Sequence, residues 1–120
     1  MSERELILLL EDIWDAARKI LNYTNGMLFE DFLADDKTID AVVRNFEIIG
    51  EAARRVPENF KVDHPEIEWR GMAGLRNRII HEYFGVDYKT VWKIKEENIA
   101  ELSDYIQQAI DGLRRKLNGG

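Results

Sequence analysis

An all-α fold, an antiparallel bundle of four main helices with one or two further short helices, is predicted by three features of the sequence. Apolar residues recur at three- and four-residue spacing along four stretches, and residue types that cap helices stand before three of them. Nowhere do apolar and polar residues alternate with the two-residue period of a half-buried strand, and there are no repeats or low-complexity tracts. At 120 residues with 45% hydrophobic side chains, the chain has the size of one domain, residues 1–120, with a core that needs no covalent staple.

The first helix should begin at about residue 3, because Ser2 and Glu5 have the spacing of a capping box. Leu6, Leu9, Leu10, Ile13, Ala17, Ile20 and Leu21 form its apolar stripe, opposite Glu11, Asp12, Asp15, Arg18 and Lys19, and it should run to Tyr23 before Asn25-Gly26 stops it. Residues 27–37 read as a connection with one short turn that tucks Phe29, Phe32 and Leu33 onto the core. Asp35, Asp36 or Thr38 can cap the second main helix, whose stripe is Ile39, Val42, Val43, Phe46, Ile49 and Ala53 and which should end near Arg55, before Val56-Pro57.

Residues 57–65, which hold both prolines, read as a polar connection. Met72, Leu75, Arg76, Ile79, Ile80 and Tyr83 then keep helical spacing, with Trp69 at the start and Gly85 just past the end. Gly71 and Gly74 inside this helix cost about 1 kcal/mol each relative to alanine, which suggests close approach by a neighbouring backbone. Asp87 can cap a short helix through Trp92 and Ile94, and Asn98 with Glu101 repeats the cap spacing, as a fresh start or a kink would. Ile99, Leu102, Ile106, Ala109, Ile110, Leu113 and Leu117 line the last helix, and Asn118-Gly119-Gly120 should be a frayed tail.

Composition excludes several classes of function. Without cysteine there is no disulfide or thiolate metal site, and a reducing cytoplasm suits such a chain. The apolar run near the N-terminus is five residues long, too short for a signal peptide, and no stretch approaches the roughly 18 residues of a membrane span. The net charge of −6 is confined to residues 1–36, which hold nine acidic against three basic residues, while the rest balances at fourteen of each. Such acidity argues against sequence-independent coating of nucleic acid, DNA included, but leaves room for a basic cleft in the neutral part. No glycine-rich phosphate loop follows a strand.

The chemistry is concentrated in Arg76-Asn77-Arg78-Ile79-Ile80-His81-Glu82-Tyr83. Wound as a helix at about 100° per residue, Arg76 and Tyr83 share one side and Asn77 and His81 the adjoining one, together covering roughly 160° of circumference. Arg76 falls among stripe positions, where an unpaired cation is costly, so it needs an anionic partner or an interface. An Asn77–His81 hydrogen bond one turn apart would fix the imidazole tautomer. A titratable base beside a guanidinium able to grip phosphate bidentately is what phosphodiester cleavage requires. His64 beside Pro65 makes only a weak metal candidate, since His81 is the one other histidine and no His-x-x-x-His or Glu-x-x-His spacing exists. Arg54-Arg55 and Arg114-Arg115-Lys116 read as solvated helix ends that complement the dipole.

The segment RNRIIHEY resembles the R-x-x-x-x-H-x-Y motif of the HepT-like toxins of the HEPN superfamily, and the likeness extends through RNFEIIGEAARRVPE, PEIEWRGMAGLRN and HEYFGVDYKTVW over nearly the whole chain. The resemblance implies an all-α homodimer whose two motif helices face each other across a cleft, and a metal-independent endoribonuclease that needs no cofactor. It implies that Arg76 and His81 are the catalytic pair, with Asn77 orienting the site. It also implies a minimal nucleotidyltransferase antitoxin as partner, which silences the nuclease by transferring AMP to Tyr83.

Helix geometry supplies a separate reason for a dimer. On one helix Arg76 and His81 diverge by about 140°, whereas a two-fold axis can set the histidine of one chain against the arginine of the other. His81 would take the ribose 2′-hydroxyl proton or protonate the leaving oxygen, and Arg76 would stabilise charge on the phosphoryl oxygens. Two rival readings use the same residues differently: a non-catalytic helical dimer that docks a nucleotidyltransferase or a nucleotide, favoured by the overall acidity, and a structural bundle without a site.

Overall fold

Ser2 caps the first helix as its spacing predicts, its Oγ accepting from Glu5 N–H at 3.1 Å. In the computed structural model, which describes residues 1–119, helix α1 runs Glu3–Tyr23. Phe29–Leu33 forms a short α2, whose Phe32 is buried against Trp92 with ring centroids 5.1 Å apart. Of the three candidate caps for the next helix, α3 (Asp36–Arg55), it is Asp35 that accepts from both Thr38 N–H and the Thr38 hydroxyl, at 3.1 and 2.7 Å.

The expected polar connection of residues 57–65 instead contains a helix, α4 (Glu58–Asp63). One apolar side chain explains it: Phe60 is buried, stacks on His64 at 4.2 Å and meets Trp69 edge-on at 6.1 Å. Next come α5 (Trp69–Ala73) and α6 (Leu75–Ile79), five residues each, separated at Gly74. The helix expected to reach Tyr83 thus stops four residues early, and the chain turns extended at Ile80, with φ −114° and ψ 118°. Ile80–His81 (β1) pairs antiparallel with Gly85–Val86 (β2), a two-residue hairpin in an otherwise helical molecule.

Asp87 caps α7 (Tyr88–Ile94) by accepting from Thr90 N–H at 3.1 Å. The irregularity expected at Asn98 is a π-helical turn, Lys95–Ile99, leading without interruption into α8 (Ala100–Gly119). Ile94 and Ile99 are five residues apart and both buried, and the wider i→i+5 turn lets both face inward. Asn118 and Gly119, expected to fray, remain helical, and Gly120 lies outside the described residues.

Helix α1 packs along both α3 and α8, and α3 carries α5 and α6 on its other flank. The core fills with the predicted stripes: Leu10, Ile13 and Ile20 from α1, Val42, Phe46 and Ile49 from α3, Ile79 from α6 and Ile106 from α8 are fully buried. Ion pairs from Glu3 to Lys116 (2.8 Å) and from Glu11 to Arg114 (2.6 Å) set the start of α1 beside the end of α8, the antiparallel arrangement. Among the described residues the architecture is all-α, with three long helices, a fourth element broken at Gly74, and α2, α4 and α7 as short helices, one more than the one or two expected. Among the described residues no helix is long and apolar enough to cross a membrane.

Close backbone approach, expected at Gly71 and Gly74, occurs at Gly50 of α3 instead. A Cβ added there would stand 3.0 Å from the Met72 carbonyl oxygen, whereas at Gly71 and Gly74 it would meet only ordinary van der Waals neighbours. Replacing Gly50 by alanine gains up to about 1 kcal/mol of helix propensity. It also overpacks a backbone contact, at a cost of about 1–3 kcal/mol. Since the neighbouring Ala73 carbonyl is itself held by Arg54 at 2.7 Å, the peptide cannot easily give way. Gly50→Ala is therefore expected to lower stability by about 1 kcal/mol, read as a lower urea midpoint at unchanged slope; a raised midpoint would refute the close packing.

Candidate active site

Arginine 54 fixes the backbone from which the site is built. Its Nη1 donates to the Ala73 carbonyl at 2.7 Å and its Nη2 to Glu51 Oε2 at 2.8 Å, so it is not the merely solvated helix end that its position suggested. With Gly50 one turn earlier it seats the break between α5 and α6 on α3, and that break sets where α6 begins and where Arg76 emerges.

Arg76 lines a groove of about 380 Å³ bounded by α1 and α3, alongside Arg44, Glu47, Glu51, Arg54 and Arg55. The sequence placed Arg76 among buried stripe positions; the structure exposes it, while Leu75 and Ile79 fill the core. A guanidinium in that position keeps its hydration and needs no internal partner. Asn77, next along α6, is exposed as well.

His81 lies beyond the end of α6, on β1, so it does not sit one helical turn above Asn77 and the expected intrahelical hydrogen bond is replaced by a different environment. Residues 82–84 bridge the strands, Phe84 N–H donates to the His81 carbonyl at 3.1 Å, and Gly85 takes φ +77° opposite His81. A three-residue hairpin loop closed by a left-handed residue has this form, and glycine adopts that conformation without steric cost. Asp87 N–H donates to the Ile79 carbonyl at 2.7 Å, which brings the aspartate back beside the strand. Its Oδ2 then stands 3.9 Å from His81 Nε2, within reach of a charge pair when the imidazole is protonated, though beyond hydrogen-bond distance.

The Asp87 carboxyl is held below the ordinary aspartate range, first by the Thr90 hydroxyl, which donates to Oδ2 at 2.8 Å, then by Thr90 N–H, with smaller contributions from the positive charge of His81 and Lys89. It thus caps α7 and faces the imidazole at once, the second role being one that sequence reading missed. Tyr83 sits at the tip of the hairpin, not on the side of Arg76, and is 88% exposed. The groove that Arg76 lines does not include His81.

His64 belongs to the core wall. It stacks on Phe60, its Nδ1 lies 3.2 Å from Glu66 Oε1, and its carbonyl accepts from Trp69 Nε1 at 3.0 Å. Among the described residues no three His, Asp or Glu side chains converge as a metal-ligating group.

The profile of the family described as "Ribonuclease HepT-like" matches residues 13–109, a span that includes every residue of the groove and hairpin except Leu9 and Asp12. The chain belongs to the ribonuclease HepT-like family. A protein of Thermococcus cleftensis named "Probable ribonuclease HepT" is 52% identical over 93 residues, 78% of this chain and 84% of that relative. Two proteins of Methanocaldococcus jannaschii whose names carry the word RNase are 43% identical over 78% of both chains, and 35% identical over 97% of this chain and 96% of theirs. No solved structure matches. Membership agrees with the resemblance carried by RNRIIHEY.

The stability supplied by the Asp87 cap has a definite pH sign. Because the folded carboxyl ionises at lower pH than the unfolded one, its contribution is complete at neutral pH and is lost as pH falls through the folded value. Thr90→Val removes the strongest influence, and the Asp87 carboxyl is then expected to titrate at higher pH in a carbon NMR titration. An unmoved midpoint would show that the hydroxyl does not hold it.

Proposed function

We propose that this HepT-like ribonuclease is a metal-independent endoribonuclease, one HEPN-like domain that works as a homodimer. His81 and Arg76 would be its catalytic pair, with Asn77 helping to orient the phosphate. The observation that carries the reading is a solvent-accessible imidazole backed by the Asp87 carboxylate, five residues along the chain from an exposed guanidinium, in a family of ribonucleases.

In this mechanism His81 accepts the proton of a ribose 2′-hydroxyl, the 2′-oxygen forms a bond to the adjacent phosphorus, and the bond from phosphorus to the 5′-oxygen breaks. The leaving oxygen takes a proton, and a 2′,3′-cyclic phosphate and a free 5′-hydroxyl result. Arg76 offsets the charge gathering on the non-bridging oxygens. A dimer would complete the site, since His81 is not among the residues that line the groove with Arg76 and a two-fold axis can bring the hairpin of one subunit to the groove of its partner.

The reading extends to a toxin-antitoxin pair in the cytoplasm. Tyr83 is the acceptor of AMP from a partner nucleotidyltransferase, and its 88% exposure at a hairpin tip leaves the hydroxyl open to another enzyme. The adduct adds negative charge two residues along the chain from His81, where RNA would be attacked, so inhibition follows from charge as well as bulk.

Purified protein is expected to cut single-stranded RNA in the presence of EDTA, leaving cyclic-phosphate ends, and to spare the same sequence as DNA. His81→Ala should lower the rate by about 10²- to 10⁴-fold. Arg76→Ala should lower it by about 10²- to 10³-fold. Activity that survives both substitutions would refute the catalytic pair, and an inert wild-type protein would leave the docking role instead. Incubation with the partner transferase and ATP is expected to add AMP units to the intact mass, and Tyr83→Phe to prevent it.

A further inference from the structure

Of the five phenylalanines in the chain, Phe32, Phe46 and Phe60 are buried and Phe29 is partly buried against Trp92, whereas Phe84 is 88% exposed. Tyr83 beside it has a hydroxyl that water satisfies. Phe84 has none, so its place in water is not explained by any polar requirement. The backbone holds the ring close to the proposed base, since Phe84 N–H donates to the His81 carbonyl at 3.1 Å within the tight turn that Gly85 closes.

The charges around this tip point to one kind of occupant. Arg76 and Arg78 precede the hairpin on α6 and neither is ion-paired among the described residues; Glu82 and Asp87 are the nearby carboxylates, and Asp87 is directed at His81 and Thr90. An exposed aromatic face on the hairpin of the proposed base, with two unpaired guanidinium groups on the helix that leads into it, suits a ligand that is planar and apolar in one part and anionic in the next, which describes an unstacked nucleotide.

We propose that Phe84 is a stacking platform for a nucleobase flanking the scissile phosphate of single-stranded RNA. The inference rests on the ribonuclease reading above and deepens it. Attack by the 2′-oxygen needs that atom opposite the leaving 5′-oxygen, a geometry that a stacked A-form strand does not offer. Drawing one base out of the stack onto the Phe84 ring, in the same tight turn as His81, holds the nucleotide in the extended form that can react. Specificity for single strands follows, because a paired base cannot reach the ring.

Binding separates this subsite from the chemistry. The probes are a 2′-O-methyl single-stranded oligoribonucleotide, which cannot be cut, and a counterpart in which several bases are replaced by abasic sites. Wild-type protein is expected to bind the base-bearing strand roughly 5- to 100-fold more tightly than the abasic one. Phe84→Leu should bind both alike, and Phe84→Trp should restore the preference. A base preference that survives in Phe84→Leu overturns the platform. So does a change of oligomeric state in Phe84→Leu by sedimentation, which would assign the ring to contact between two copies of the chain. Cleavage of unmodified RNA by the wild type is scored separately. A protein that cuts RNA but keeps its base preference without Phe84 removes only the platform, and one that stacks bases through Phe84 without cutting removes only the nuclease.

Discussion

The geometry of the site depends on how one short length of backbone, Met72 to Gly74, is held against α3. Gly50 lets the Met72 carbonyl approach so closely that a Cβ there would have to push it aside, and Arg54 ties down the Ala73 carbonyl next to it. These two contacts, one helical turn apart on α3, end α5 and start α6. From that starting point the five residues of α6 bury Leu75 and Ile79, turn Arg76 toward the groove along α3, and release the chain at Ile80 into the hairpin that carries His81. Active-site precision here comes from main-chain contacts more than from hydrogen bonds among the reactive side chains.

Most of the scaffold was legible in the sequence. The stripes of α1, α3 and α8 are long enough for the three-four period to be unambiguous, and the caps at Ser2, Asp35 and Asp87 were readable because each is a local interaction spanning three residues. The hairpin was not legible for a specific reason. Ile79 and Ile80 satisfy a helical stripe and are also β-branched residues that favour extended backbone, so their spacing cannot decide between the two. Gly85 was read as a helix stop, and the same residue at φ +77° serves equally to close a tight turn. Asp87 was found as a cap; that it also faces His81 is a consequence of the turn, and a linear pattern holds no record of it. Arg54 was misjudged because its partner is a carbonyl nineteen residues away.

Charge is distributed so that an acidic protein can still hold a cationic site. The excess of carboxylates lies in the first third of the chain, most of it at Glu30, Asp31, Asp35 and Asp36 around α2 and the start of α3, while Glu3 and Glu11 of α1 are countered by Lys116 and Arg114 reaching over from α8. Such exposed pairs add little to stability. They keep two basic residues of the last helix occupied at the far side of the bundle. Arg44, Arg55 and Arg76 form no ion pair among the described residues and share one groove. Net charge therefore says little about what this surface can attract, since local fields act within about a Debye length.

The two-residue ladder of β1 and β2 is anchored by Ile79, Val86 and the Asp87 backbone, while residues 81–85 are all exposed and contribute almost nothing to the core. A segment with so few buried contacts lies at the low end of the local unfolding scale and can open without the helices that support it melting. Changes of residue in this loop therefore cost the bundle little stability, and its surface chemistry can vary independently of the fold.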